Sequence, residues 1–155
     1  MIFNLSHGEF LFQDGTWVKT TENAKLQPRS FKNAWTNMEK PFKVFIGLRR
    51  WDQRGKNVVP AGQEDRSRYA IDEIPAGVKD LYTGDGIAQV KLLDHLLKFF
   101  WENEIADAAD YHLIPLAILT FNGQDVVLSK DFVAPPVTLS TSEELLRIMR
   151  NVREL

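Results

Sequence analysis

"YHLIPLAILTFNGQDVVLS", residues 111–129, decides the fold class. Its first eleven residues are apolar and rich in β formers. Asn122-Gly123 follows, the pair preferred in two-residue hairpin turns because both residues tolerate positive φ, and "QDVVLS" supplies the returning strand. Pro115 has no N–H to give to a ladder, so it is expected at the start or the edge of its strand.

Downstream, "DFVAPPVTLSTSEELL" (131–146) ends the β pattern. Pro135 fixes its own φ and Pro136 drives Pro135 from helical ψ, so neither strand nor helix runs through the pair. The two prolines read as a stiff elbow. Thr141 stands three residues before Glu144 as a capping box, with Ser140 and Glu143 as the competing register. Leu145, Ile148, Val152 and Leu155 then recur at 3-4-3 spacing, the seam of a coiled coil or bundle. So short a helix is marginal alone in water. Its seam must pack on its own domain or on another copy. The expected organisation is a β-domain over 1–139 and the start of a helical neck over 140–155.

Upstream, "IAQVKLLDHLLKFFWE" (87–102) fits either period. Val90, Leu93, Leu97 and Phe100 have helical spacing, while Leu97, Phe99 and Trp101 alternate. In "PFKVFIGLRRW" (41–51), Phe42, Val44, Ile46 and Leu48 alternate with Lys43, Phe45, Gly47 and Arg49, a half-buried strand. "EFLFQDGTWV" (9–18) sets Asp14-Gly15 between apolar runs, a hairpin signal that points to a tight primed turn. Residues 19–35 are mixed and polar, read as loop and short strand, and 52–68 form a long polar connection with a short strand at Val58-Val59. "YAIDEI" and "VKDLYT" are short strand candidates, the second closed by "TGDG".

The 155 residues most simply make one domain, which on folding hides about two-thirds of the unfolded chain's surface. With 44% hydrophobic and 26% charged residues the composition is globular, and the net charge of −2 does not favour polyanions. The absence of cysteine excludes disulfides and thiolate metal sites. No apolar run is long enough to span a bilayer, and "MIFNLSHGEF" lacks the plan of a signal peptide. A cytoplasmic protein without direct membrane insertion is expected.

No chemistry-bearing constellation emerges. His7, His95 and His112 are scattered, without an HExxH helix or a regular acidic ligand loop. His112 reads as a strand residue rather than a base. "YTGDG" has no lysine, and no G-x-S-x-G elbow exists. Pairs such as Glu64-Asp65 and Asp107-Asp110 read as solvated loops. Arg49, Arg50, Trp51, Arg54, Lys56, Arg66 and Arg68 make a basic region diluted by Asp52, Glu64 and Asp65; a solvated loop suits it better than a nucleic-acid surface. No catalytic residue, cofactor or metal is expected.

A family resemblance enters with residues 111–152. Ile114-Pro115-Leu116-Ala117, the turn at Asn122-Gly123, Val126 to Leu128, and Phe132 through Pro136 resemble the TssK family of type VI secretion baseplate subunits. That family has a Leu-Pro-Leu-Ala strand, a turn, an apolar strand and an aromatic-apolar-x-Pro-Pro segment. "VKLLDHLLKFFWENE" is similar to its stretch just upstream, and Asp14, Gly15 and Thr16 to its early Asp-Gly-Thr region. The family's opening His-Phe-Gln signature has no match, residues 20–80 match loosely, and its large helical and C-terminal regions do not follow. A truncated N-terminal domain is therefore expected.

The resemblance implies a mainly β fold: a β-sandwich shoulder, like that of phage receptor-binding proteins, followed by a C-terminal α-helix. Residues 87–102 would then be strands bent near Asp94-His95. It implies a non-catalytic assembly domain whose shoulder binds baseplate wedge subunits and whose neck brings three subunits together. The whole protein would link the baseplate to the membrane complex. The alternative is a ligand- or carbohydrate-binding sandwich, which exposed Trp35 or Trp51 would favour. An enzyme would need a cleft with converging carboxylates.

Overall fold

A computed structural model describes residues 1–60, 67–71, 76–138 and 142–153. The alternation of Phe42, Val44, Ile46 and Leu48 becomes β6 (Phe42–Arg49), the middle of the main sheet. β11 (Leu93–Trp101) and β12 (Tyr111–Phe121) flank it, both antiparallel. β13 (Val126–Leu128) extends the sheet beyond β12. β4 (Ala24–Leu26) lies beyond β11, while β8 (Tyr69–Ile71) pairs with the first residues of β11 and carries β7 (Val58–Val59) beside it. Within residues 87–102 the chain is thus strand up to Trp101, as the family resemblance implies, and Glu102 opens a 3-10 helix that runs to Asp107. The break falls at Lys91-Leu92, between β10 (Ile87–Val90) and β11, rather than at Asp94-His95.

Register explains why residues 111–121 show no clean alternation. Ile114 lies opposite Ile46, whereas Ala117 lies opposite Val44, with an irregularity between Pro115 and Ala117. Opposed residues share a face, so the core-facing phase is even before the irregularity and odd after it, where Ala117 and Leu119 are buried. Pro115 is in mid-strand, not at its start. It is tolerated there because of the adjacent bulge and because β13 pairs with β12 only from Leu119 onward.

A second layer covers one face of this sheet. It comprises the antiparallel pair β1 (Ile2–Phe3) and β5 (Arg29–Ser30), and the hairpin β2 (Glu9–Leu11) and β3 (Trp17–Lys19). Phe31 and Trp35 pack on Phe42, Val44, Phe99, Trp101 and Leu119. Phe12 and Val18 pack on Ile46, Leu48 and Leu97. Each such large side chain stabilises the fold by about 1.5–3 kcal/mol when fully buried. On the opposite face Phe100 and Leu113 cross over Gly47, where a Cβ would stand 2.6 Å from Phe100 Cε2 and 2.9 Å from Leu113 Cδ2. Gly47 is therefore buried too, and β6 is covered on both faces there rather than half-buried.

Both hairpin signals hold, with turns other than those expected. In the first, Phe12 N–H donates to Thr16 O (3.0 Å) and Gly15 N–H to Phe12 O (2.9 Å). Gly15 alone takes positive φ, so the loop has three residues with a left-handed glycine at its end. In the second, Asn122 N–H donates to Asp125 O (3.1 Å), which leaves Gly123-Gln124 as the two-residue loop. Asn122 stands before the loop, its Oδ1 accepting from the N–H groups of Gln124 and Asp125. The short strand expected at Val58-Val59 is β7, and "VKDLYT" falls partly in β9 (Ala76–Lys79), which pairs with β10. After an irregular stretch through Pro135 and Pro136, the chain forms α1 (Glu143–Arg153). The caps expected at Ser140 and Thr141 lie outside the described residues; Ser142 Oγ accepts from Leu145 N–H (3.3 Å).

Candidate functional site

His95 pairs with both Ala24 of β4 and Tyr69 of β8, and Leu97 with both Leu26 of β4 and Leu48 of β6. A strand residue has one partner on each edge, so β6 and β8 lie end to end along a single edge of β11. Arg68 fills the junction between them. It is only 3% exposed. Its carbonyl accepts from Leu96 N–H (2.9 Å), and its Nη1 donates to Arg49 O (2.8 Å), the last residue of β6.

A buried guanidinium is tolerated only when paired and hydrogen-bonded. The turn between β2 and β3 supplies the partners: Nη2 donates to Asp14 Oδ2 at 2.8 Å and to Thr16 Oγ1 at 2.6 Å. Thr16 N–H also donates to Asp14 Oδ1 (3.1 Å). Partial burial raises the Asp14 pKa, yet the bonds from Thr16 and Arg68 prevail and hold it at about 2. Nε of Arg68 reaches the Tyr69 hydroxyl at 3.2 Å. His112 closes the group, with Nε2 3.5 Å from Asp14 Oδ2. His95 lies edge-on to the Tyr69 ring, centroids 4.9 Å apart, and its pKa is lowered by burial and then by the Arg68 charge. The Asp-Gly-Thr turn of one layer is thereby latched to the sheet of the other.

The same hub orders an exposed loop. Asn57 O accepts from the N–H groups of Arg68 (3.2 Å) and Tyr69 (2.9 Å). Asn57 Oδ1 accepts from Asp52 N–H (2.8 Å), while its Nδ2 donates to Asp52 O (2.7 Å). Asp52 Oδ1 accepts from Arg54 and Gly55 N–H (2.9 and 2.8 Å). Trp51, 58% exposed, stands edge-on to Tyr69 at 6.3 Å. Sequence reasoning grouped Arg68 with this solvated loop. Its burial corrects that: Arg68 directly precedes β8 and fills the junction between β8 and β6, and charge alone carries no sign of that placement.

The free edge of β11 beyond β4 is closed by an ion pair. Arg29 Nη1 donates to Phe99 O (2.8 Å), and the guanidinium grips Glu104 at 2.5 and 2.6 Å. Glu104 Oε2 accepts Trp101 N–H (3.1 Å). Burial raises the Glu104 pKa, but the Arg29 bond outweighs it and the net direction is down. Beside this clasp lies a cleft of about 340 Å³, lined by Lys25, Gln27, Arg29, Ser67 and Lys98 among others. Neither this cleft nor that at Leu5, Ser6 and Thr20 is lined by a carboxylate among the described residues. No group of three or more potential metal ligands occurs among those residues.

Of the residues singled out in the sequence, Asp14, Gly15 and Thr16 meet Arg68, while Ile114 and Leu116 pack against the Phe12 and Val18 cluster. Pro115 and Ala117 bracket the bulge. Phe132 and Pro136 are half-buried and Pro135 is exposed. In the seam, Leu145 is half-buried, and Ile148 and Val152 are 44% and 67% exposed. Leu155 lies outside the described residues.

A model of the bacterial type VI secretion family VasE, which also carries the names EvfL and ImpJ, matches residues 2–155. The chain belongs to that family. This VasE-family chain also shares its fold with solved TssK structures. It is 19% identical to a chain of the TssK–TssF–TssG baseplate subcomplex, with a TM-score of 0.79, covering 97% of this chain and 49% of that one. A chain of the type VI secretion baseplate complex is 20% identical, also at 0.79, with 97% and 47% covered. TssK from EAEC, bound to a nanobody, is 16% identical with a TM-score of 0.75, covering 97% and 33%. The chain thus spans less than half the length of these solved chains. No curated protein matches. The mainly β fold with one C-terminal helix, and the family itself, are as the sequence resemblance implied. No helix among the described residues is long and apolar enough to cross a membrane.

Proposed function

We propose that this chain is the shoulder of a type VI secretion baseplate component, a non-catalytic assembly domain working in the cytoplasm. The match of the family model over residues 2–155 carries this reading. In the full-length protein the shoulder binds wedge subunits and the whole molecule links the baseplate to the membrane complex. Residues 1–139 form the shoulder, Pro135 and Pro136 the elbow, and 140–155 the start of a neck that joins three subunits. Ile148, Met149 and Val152 are exposed in the single chain, which supports the seam Leu145–Ile148–Val152–Leu155 as a self-association surface.

The test uses the full-length protein. Light scattering of wild type and of the double variant Ile148→Asp/Val152→Asp should give a trimer and a smaller species, with β-type circular dichroism retained in both. Equal masses would refute the seam. Mixing the wild type with the wedge subunits of the same system should yield a larger complex; separate elution at micromolar concentration would refute the assembly role.

One observation favours the ligand-binding alternative. Trp51 is exposed, although Trp35 is buried and stacked on Phe42 at 5.5 Å. Saccharide binding lost in Trp51→Ala would establish that reading.

A further inference from the structure

We propose that the loop Arg50–Asn57 is a docking point for an acidic segment of a partner protein, with Trp51 as its anchor. Three observations converge on it. The loop is preorganised: Asp52 and Asn57 hold it through their side chains, and Asn57 is tied to the sheet by the backbone of Arg68 and Tyr69. A pre-formed loop loses little conformational freedom on binding.

Second, the loop presents an aromatic anchor. Trp51 is exposed but held edge-on by Tyr69, which is itself packed between His95 and the Arg68 guanidinium. Tryptophan and arginine are the residues most enriched among those that dominate binding energy.

Third, the charge is one-sided. Arg50, Arg54 and Lys56 are exposed and make no ion pair among the described residues, whereas the Asp52 carboxylate faces Arg54 and Gly55 N–H. The loop is cationic on a chain whose net charge is −2. Its field would attract carboxylates. A single aromatic and the overall negative charge favour a protein segment over a nucleic acid, which needs a longer basic track with repeated stacking.

The proposal rests on the assembly reading and names the chemistry of the partner surface. Its test uses the full-length protein and fluorescently labelled wedge subunits, titrated at low and at moderate salt. Trp51→Ala should weaken binding at least about tenfold, and Trp51→Phe should retain most of it. Arg54→Glu/Lys56→Glu should weaken it about tenfold and flatten the salt dependence. Trp51 is exposed and Arg54 and Lys56 lie in the loop, so the fold should survive; unchanged unfolding midpoints check this. Wild-type binding with both variants equally tight would overturn the docking loop and leave the assembly role standing. No wild-type binding would overturn the assembly role, and the loop with it. A labelled single-stranded oligonucleotide bound more tightly than the wedge subunits, in a Trp51-dependent way, would reassign the loop to nucleic acid.

Discussion

Replacing Arg68 with methionine keeps most of the side chain's apolar volume and removes the guanidinium. Four acceptors lose their donor: Arg49 O, Asp14 Oδ2, Thr16 Oγ1 and the Tyr69 hydroxyl oxygen. Removing one partner of a buried ion pair costs about 3–5 kcal/mol. The Asp14 side chain is 27% exposed, so its stranded charge is partly hydrated and the lower end applies, about 3 kcal/mol. The carboxyl gives a second measure. It is held at about 2 against an ordinary 3.8, a gap equivalent to roughly 2.5 kcal/mol, reduced by partial exposure to about 1–2 kcal/mol. Because the folded value is depressed, this contribution is present above about pH 4 and disappears as the pH falls toward 2.

The assay is urea and thermal unfolding of wild type, Arg68→Met, Asp14→Asn and the double variant, at pH 7 and between pH 5 and 3. For a domain of this size, Arg68→Met should lower the melting temperature by about 6–12 °C. The double-mutant cycle should return a coupling of about 1–2 kcal/mol at pH 7. Asp14→Asn should lose stability less steeply than wild type below pH 4. An Arg68→Met variant within about 0.5 kcal/mol of wild type, or a coupling near zero, would refute the latch.

Other outcomes follow from the same contacts. Gly47→Ala drives a methyl into Phe100 and Leu113 and should cost about 2 kcal/mol, read as a drop of about 4–8 °C; an unchanged midpoint would mean that Phe100 moves aside freely. His95 has a folded pKa lowered by burial and by the Arg68 charge, so the stability it supports is present above about pH 6.5 and is lost as the pH falls below that. His95→Phe keeps a ring beside Tyr69 and should flatten the stability profile between pH 7 and 5; identical slopes would dismiss His95 as its source.

The hairpin over residues 111–128 was legible because β formers, an Asn-Gly pair and a second apolar run all agree locally. Its turn was misplaced by one residue because Asn122 serves better as a side-chain acceptor before the turn than as a member of it. In residues 87–102 both periods are present, and only pairing with β4, β6 and β8 selects the strand. Arg68 was hidden for a related reason. A lone arginine in a polar stretch reads as solvated, and its acceptors lie at positions 14, 16 and 49, brought to it by the fold.

By itself, the sequence determined the β class, both hairpins, the central strand at 42–49, the interruption at Pro135-Pro136 and the amphipathic end. All of these rest on interactions between near neighbours along the chain, or on the fixed geometry of proline and glycine. Tertiary structure alone decided the phase change at Pro115, the end-to-end seating of β6 and β8, and the latch from Asp14 to Arg68. Each depends on partners far apart in the chain, and burial turns an ordinary charge into one that must be matched.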